Sequence, residues 1–212
     1  MEDEIKISHH INNKIKMSVL PGHFVTSHSH ISHYFDMTML KIRQSDAKEV
    51  ARTIAGQYSY STIVDTIVCM DGCEVIGAFL ADELKQNGIM SFNKHETIYV
   101  VTPEINSSNQ IIFRDNTKPA ITNKHVLLLL ATATTGKTVS AALDCIHYYG
   151  GHVAGISALF SATKEVEGYE VHSIFSQVDV PEYETYAAHD CPLCKSGVKI
   201  DAMVNNFGYS II

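Results

Sequence analysis

Two stretches of this chain carry residue types that do chemistry. The first is Ala131-Thr132-Ala133-Thr134-Thr135-Gly136-Lys137-Thr138, which joins an unbroken apolar run to a helical pattern. Hydroxyls, a glycine and a lysine at a helix start suit an anion, because first-turn amides lack intrahelical partners and the helix dipole favours negative charge there. Thr134, Thr135, Gly136, Lys137 and Thr138 therefore form a candidate phosphate cradle; the alternative is a plain polar turn capped by Thr135. The eight residues nearly spell the nucleoside-triphosphate loop G-x-x-x-x-G-K-[ST]. Ala131, however, stands where its first glycine belongs, and no later apolar strand clearly ends in the aspartate that would hold Mg²⁺.

The second stretch is His189-Asp190-Cys191-Pro192-Leu193-Cys194. His189, Cys191 and Cys194 have the spacing of three ligands of a tetrahedral Zn²⁺ site, with Cys69, Cys73 or a partner subunit supplying the fourth. Unliganded cysteines are the alternative. A redox role would need the pair at a helix start just after a strand, and that context is missing. A third group, His23, His28, His30 and His33, has the look of a metal cluster, since on a strand His28 and His30 would share a face. It lacks a visible third ligand and cavity, and reads rather as exposed or pocket-lining histidines.

The elements that must position these residues follow from periodicity. Residues 1–20 read as an arm or short helix, Pro21-Gly22 as a turn, and 24–36 as two extended pieces. Asp46 with Glu49 resembles a capping box, and Ala47, Val50, Ala51, Ile54 and Tyr58 repeat at helical spacing. Strands are expected at 63–70, 97–102, 126–131, 153–160 and 171–175. Further helices are expected along Val75–Leu84, stopped by Asn87-Gly88, and along Val139–Ile146, closed by Gly150-Gly151. Residues 103–124 read as a hairpin or mobile loop, and the chain after Pro181 as irregular. Strands alternating with amphipathic helices imply an α/β fold with a parallel sheet covered on both faces. Its ligand site lies at the carboxyl ends of the strands, where Asp71-Gly72 and Thr132–Thr138 fall.

Composition narrows the function. The chain has 212 residues, a formal charge of −7 and no basic stripe, which disfavours duplex nucleic acid as a partner. The apolar run 126–131 is far too short to cross a bilayer, which takes about 20 residues. The acidic start Met1-Glu2-Asp3-Glu4 lacks the layout of a signal peptide, and five cysteines fit a reduced, cytoplasmic setting.

The strand 126–129, the Thr134-Thr135-Gly136-Lys137-Thr138 loop and the following helix resemble the signature of the type I phosphoribosyltransferases. In that family the apolar strand is followed by two acidic residues, two small or apolar residues, and T-T-G-x-T. Phe24–Asp36, Asp65–Gly77 and the 97–124 region resemble the orotate phosphoribosyltransferase branch, so the likeness runs over roughly residues 20–176. The resemblance implies a parallel-sheet core over residues 41–178 and a small hood from residues 1–40 and 179–212. It implies transfer of 5-phosphoribosyl from phosphoribosyl pyrophosphate (PRPP) to a pyrimidine-type base with Mg²⁺, or a non-catalytic module binding PRPP or a nucleoside monophosphate. It also implies a homodimer. Asp71 and Gly72 then fall on the turn that meets pyrophosphate. The two acidic positions, which in the family hold the ribose hydroxyls, fall on Leu130 and Ala131. Of the basic residues that would meet pyrophosphate from the mobile loop, only Arg114, Lys118 and Lys124 are present.

Overall fold

The computed structural model describes residues 3–58, 62–86, 97–106, 110–205 and 207–212. The expected helix stop at Asn87-Gly88 lies outside the described residues. The chain runs β1 (Ile5–Ser8), β2 (Lys16–Val25), β3 (His30–Asp36), α1 (Thr38–Ile42), α2 (Gln44–Tyr58), β4 (Thr66–Cys69), α3 (Glu74–Gln86) and β5 (Tyr99–Val101). A small hairpin, β6 (Glu104–Ile105) and β7 (Ile111–Ile112), precedes β8 (His125–Ala133), α4 (Lys137–Tyr148) and β9 (His152–Ser161). The remainder is β10 (Glu165–Val166), β11 (Tyr169–Ser176), β12 (Thr185–Tyr186), α5 (Pro192–Lys195), β13 (Ala202–Asn205) and β14 (Gly208–Ile211).

The core sheet has the order β10-β11-β9-β8-β4-β5, parallel except for β10. β8 lies in the middle, with parallel partners on both sides, as its unbroken apolar sequence requires. Its alternation sorts the core into two layers. Leu127, Leu129 and Ala131 pack toward α2 and α3, whereas Val126, Leu128 and Leu130 pack beneath Val139, Ala142, Leu143 and Ile146 of α4. Each buried leucine contributes roughly 1.5–3 kcal/mol relative to exposure, so the strand that feeds the loop at 134–138 is held from both faces.

The second sheet, a hood, has the order β12-β3-β2-β13-β14, with β1 paired to β2. Both ends of the chain share it, since β13 runs parallel to β2. Two expectations change here. The segment after Pro181 is not irregular; it forms β12, α5, β13 and β14. Pro21-Gly22 does not turn the chain either. β2 runs through it, and the register against β3 shifts between Pro21 and Phe24. This bulge places consecutive residues His23 and Phe24, 1% and 0% exposed, on the inside. Residues 3–20 hold β1 and the start of β2 and form no helix. Helix α2 begins at Gln44, so Asp46 sits in its first turn and is not its cap.

Among the described residues no helix is long and apolar enough to cross a membrane. All five cysteines are free thiols, without disulfides.

Candidate functional site

A cavity of about 390 Å³ opens where the hood faces the carboxyl ends of β4 and β8. That size suits a small molecule. The core supplies Asp71 and the run Ala131–Val139. Helix α1 supplies Lys41, and the hood supplies Thr26–Ser29, Tyr34, Asn205 and Phe207.

The loop at 134–138 forms the cavity's floor. Gly136 precedes α4 in the left-handed region, with φ 75°, and no side chain caps the helix, Thr135 included. The left-handed φ favours glycine, and a β-carbon there would also press on Val166 Cγ2 at 3.1 Å. Ser140 is the first amide to bond back into the helix, to the Gly136 carbonyl at 2.8 Å. The amides of Lys137, Thr138 and Val139 lie ahead of it, at the positive end of a 12-residue helix. Thr134, Thr135, Gly136, Lys137 and Thr138 all line the cavity, so the structure brings the sequence-derived cradle together.

The two positions where the family carries acids separate. Leu130 is 0% exposed and packs into the layer beneath α4, away from the cavity. Ala131 alone faces it. Beside Ala131 stands Asp71, whose carboxylate accepts the amides of Ala131 and Thr132. Burial pushes the Asp71 carboxyl above its ordinary range, and those amides together with Lys41 draw it partly back. Lys41 Nζ donates to the Asp71 carbonyl at 2.9 Å. Asp71 is left-handed, with φ 56°, and Gly72 follows it with φ 79° without lining the cavity.

The basic residues of 103–124 do not reach this space. Arg114 pairs with Glu104, Lys118 with Asp115, and Lys124 lies over the Tyr99 ring. Cations in the cavity wall come instead from Lys41 and Lys137, of which the sequence had singled out Lys137.

A second constellation lies in the hood. Cys191 and Cys194 come together with His23 and His30, their ligand atoms all within 4.8 Å of one another. His189 does not join them: it is exposed on the short 3-10 turn before α5. Cys69 and Cys73 are buried in the layer beneath α3, where desolvation raises the Cys69 thiol to about 12, so neither completes the set. His28 precedes β3, exposed in the turn at 26–29, and so does not share a strand face with His30. Cysteine spacing does not reveal that His23 and His30 stand beside the pair, because only the bulge at Pro21-Gly22 turns His23 inward.

A central β8 flanked by β4 and β9, a phosphate-type loop leading into α4, and a hood closing over it define the type I phosphoribosyltransferase fold. The chain has that fold, and the proteins it is similar to include orotate phosphoribosyltransferases. It is 25% identical over 188 residues to the orotate phosphoribosyltransferase of Chlorobaculum parvum, covering 87% of this chain and 88% of that protein. The orotate phosphoribosyltransferase of Aeropyrum pernix superposes with a TM-score of 0.53 at 18% identity, over 77% of this chain and 91% of that one. The UMP synthase of Leishmania donovani gives a TM-score of 0.55 at 16% identity over 77% of this chain, which spans only 34% of that longer protein. No family model matches the chain.

Proposed function

We propose that the chain is an orotate phosphoribosyltransferase-like protein that binds 5-phosphoribosyl ligands, PRPP or a nucleoside monophosphate, in the cavity between hood and core. The observation that carries this reading is the cradle itself. A left-handed glycine, open first-turn amides and Thr138 line one cavity together with Lys137. The 5′-phosphate accepts from these amides, and Lys137 adds a point charge. The hood loop 26–29 lines the same cavity.

The donor set also fits Mg²⁺ in one respect. This ion keeps most of its waters and takes one or two carboxylates plus substrate phosphates, and Asp71 is an acidic side chain in the cavity wall. Asp71 would hold it, and the bound ion would supply neutralisation of the pyrophosphate charge. In the transfer reading the base is a pyrimidine and the protein orients the two reactants rather than reacting itself. A second reading, binding without transfer, is favoured by Leu130 and Ala131, neither of which can accept a ribose hydroxyl. The assembly in either case is a cytoplasmic homodimer, which light scattering would report as twice the mass of one chain.

Calorimetry with PRPP, orotate and uridine monophosphate, with and without Mg²⁺, tests the cavity. Consumption of orotate in the presence of PRPP separates the two readings. Thr138→Val should weaken nucleoside monophosphate binding by about 1.5–3 kcal/mol, the contribution of one bond to a charged group. Absence of binding by every phosphoribosyl ligand would reject the proposal.

A further inference from the structure

We infer that His23, His30, Cys191 and Cys194 form a tetrahedral Zn²⁺ site that ties the N-terminal strands of the hood to its C-terminal segment.

The geometry is that of a coordination shell. Cys191 Sγ lies 3.5 Å from His23 Nε2, Cys194 Sγ lies 3.6 Å from it, and Cys194 Sγ lies 3.3 Å from His30 Nδ1. The two imidazole nitrogens are 3.0 Å apart. With Zn–N near 2.0–2.1 Å and Zn–S near 2.3 Å, a tetrahedron has N···S edges of about 3.6 Å and an N···N edge of about 3.4 Å. The four distances fall close to those edges and all four ligand atoms lie within 4.8 Å of one another, which leaves a place for one cation at their centre.

Hydrogen bonding alone does not account for the arrangement. His23 Nδ1 lies 3.0 Å from the Val198 carbonyl oxygen, which only accepts, so the proton sits on Nδ1. His23 Nε2 is left with a single lone pair, directed at three neighbours at 3.0, 3.5 and 3.6 Å. One lone pair accepts one proton, whereas one metal ion satisfies all four groups together. The Val198 carbonyl is also the kind of outer partner that fixes the ring of a metal-bound histidine. Three of the four residues are buried, while Cys194 is exposed and gives the ion a route in.

The local backbone is arranged for this. Cys191 precedes α5, whose Pro192 occupies the first helical position, and the amide of Lys195 bonds back to the Cys191 carbonyl at 3.1 Å. One turn therefore carries both sulfurs to the same side. On the other wall, the bulge in β2 and the start of β3 bring in His23 and His30. Closed Cys₂His₂ sets of this kind are structural rather than catalytic.

Metal analysis of wild-type protein purified without chelator should find about one zinc per chain. Exchange into Co²⁺ should give the intense visible bands of a tetrahedral ion with a thiolate-to-cobalt charge-transfer band. Cys194→Ser should cut zinc content at least about tenfold and abolish that band, while His189→Ala retains both. The wild-type measurements stand even if Cys194→Ser fails to fold. Wild-type protein that carries no zinc and develops no charge-transfer band on addition of Co²⁺ overturns the site. So does full zinc occupancy in a folded Cys191→Ser/Cys194→Ser variant.

Discussion

Asp71 Oδ2 accepts the backbone amide of Ala131 at 3.3 Å, from 60 residues away in sequence. β4 and β8 are parallel neighbours, so the turns at their carboxyl ends share one edge of the sheet. A carboxylate from the first turn thereby stands beside Ala131 on the second.

Replacing Asp71 should expose this role. Burial raises its carboxyl pKa, so between its unfolded and folded values the native state binds more protons than the unfolded chain. Asp71 therefore favours the folded state at the acid end of that window, and that contribution is lost as pH rises through it. Asp71→Asn should be at least as stable as wild type above the window and should lose this part of the pH dependence in urea unfolding. The same variant should weaken Mg²⁺-dependent PRPP binding by about 1.5–3 kcal/mol in calorimetry. Unchanged Mg²⁺-dependent affinity would remove Asp71 from the site.

Leu130 and Ala131 should behave oppositely when made acidic. Leu130→Glu places a carboxylate in the apolar layer beneath α4 without a partner, and unfolding experiments should show a loss of about 3–5 kcal/mol. Ala131→Asp faces the cavity beside Asp71 and should stay folded while binding Mg²⁺ more tightly. Equal destabilisation by both would mean that Ala131 does not open on the cavity.

Residue patterns made the core and the cradle legible because both depend on local signals. The unbroken apolar run 126–131 reads as a strand covered on both faces, and Thr134–Thr138 presents backbone amides that any strand-to-helix turn exposes. The hood was expected from the family resemblance, but its strand pairing was not legible in the residues themselves. Its sheet pairs β2 with β13, some 178 residues apart at Phe24 and Ala202, and no local periodicity records such a pairing. The metal ligands depend on the same long-range register. Cys191 and Cys194 declare themselves by spacing, but His23 turns inward only through a bulge that Pro21-Gly22 made look like a turn. Asp71 was placed at the right turn, but its contact with Ala131 came only from the order of the strands.

Phe207 lies 96% exposed at the turn between β13 and β14 and lines the cavity mouth. An aromatic ring left in water there is available to stack on a bound base, an interaction worth about 1–3 kcal/mol by alanine substitution in nucleic-acid-binding proteins. Phe207→Ala should weaken nucleoside monophosphate binding by that amount and leave the affinity for ribose 5-phosphate, which has no base, unchanged. Its thermal midpoint should not move, since the side chain buries almost nothing. Equal losses for both ligands would show that Phe207 shapes the cavity and does not touch the base.

The metal centre and the ligand cavity should be coupled through a short span of chain. His23 and His30 flank Thr26–Ser29, which forms the hood's wall of the cavity. That loop holds itself only locally: Thr26 Oγ1 accepts the amides of His28 at 3.1 Å and Ser29 at 2.9 Å. Fixing both of its ends to one ion lowers the freedom that ligand binding would otherwise have to remove. Stripping the metal with a chelator should lower the thermal midpoint, because a structural ion is linked to folding. It should also weaken uridine monophosphate binding about 5–10-fold, or ~1–1.4 kcal/mol, and Zn²⁺ should restore both. Thr26→Val, which removes the Oγ1 bonds and leaves the backbone bond to Ser29 and the metal ligands in place, should weaken binding while keeping zinc. Undiminished affinity in folded, metal-free protein would mean that the loop's own hydrogen bonds suffice and that the ion serves the hood's stability alone.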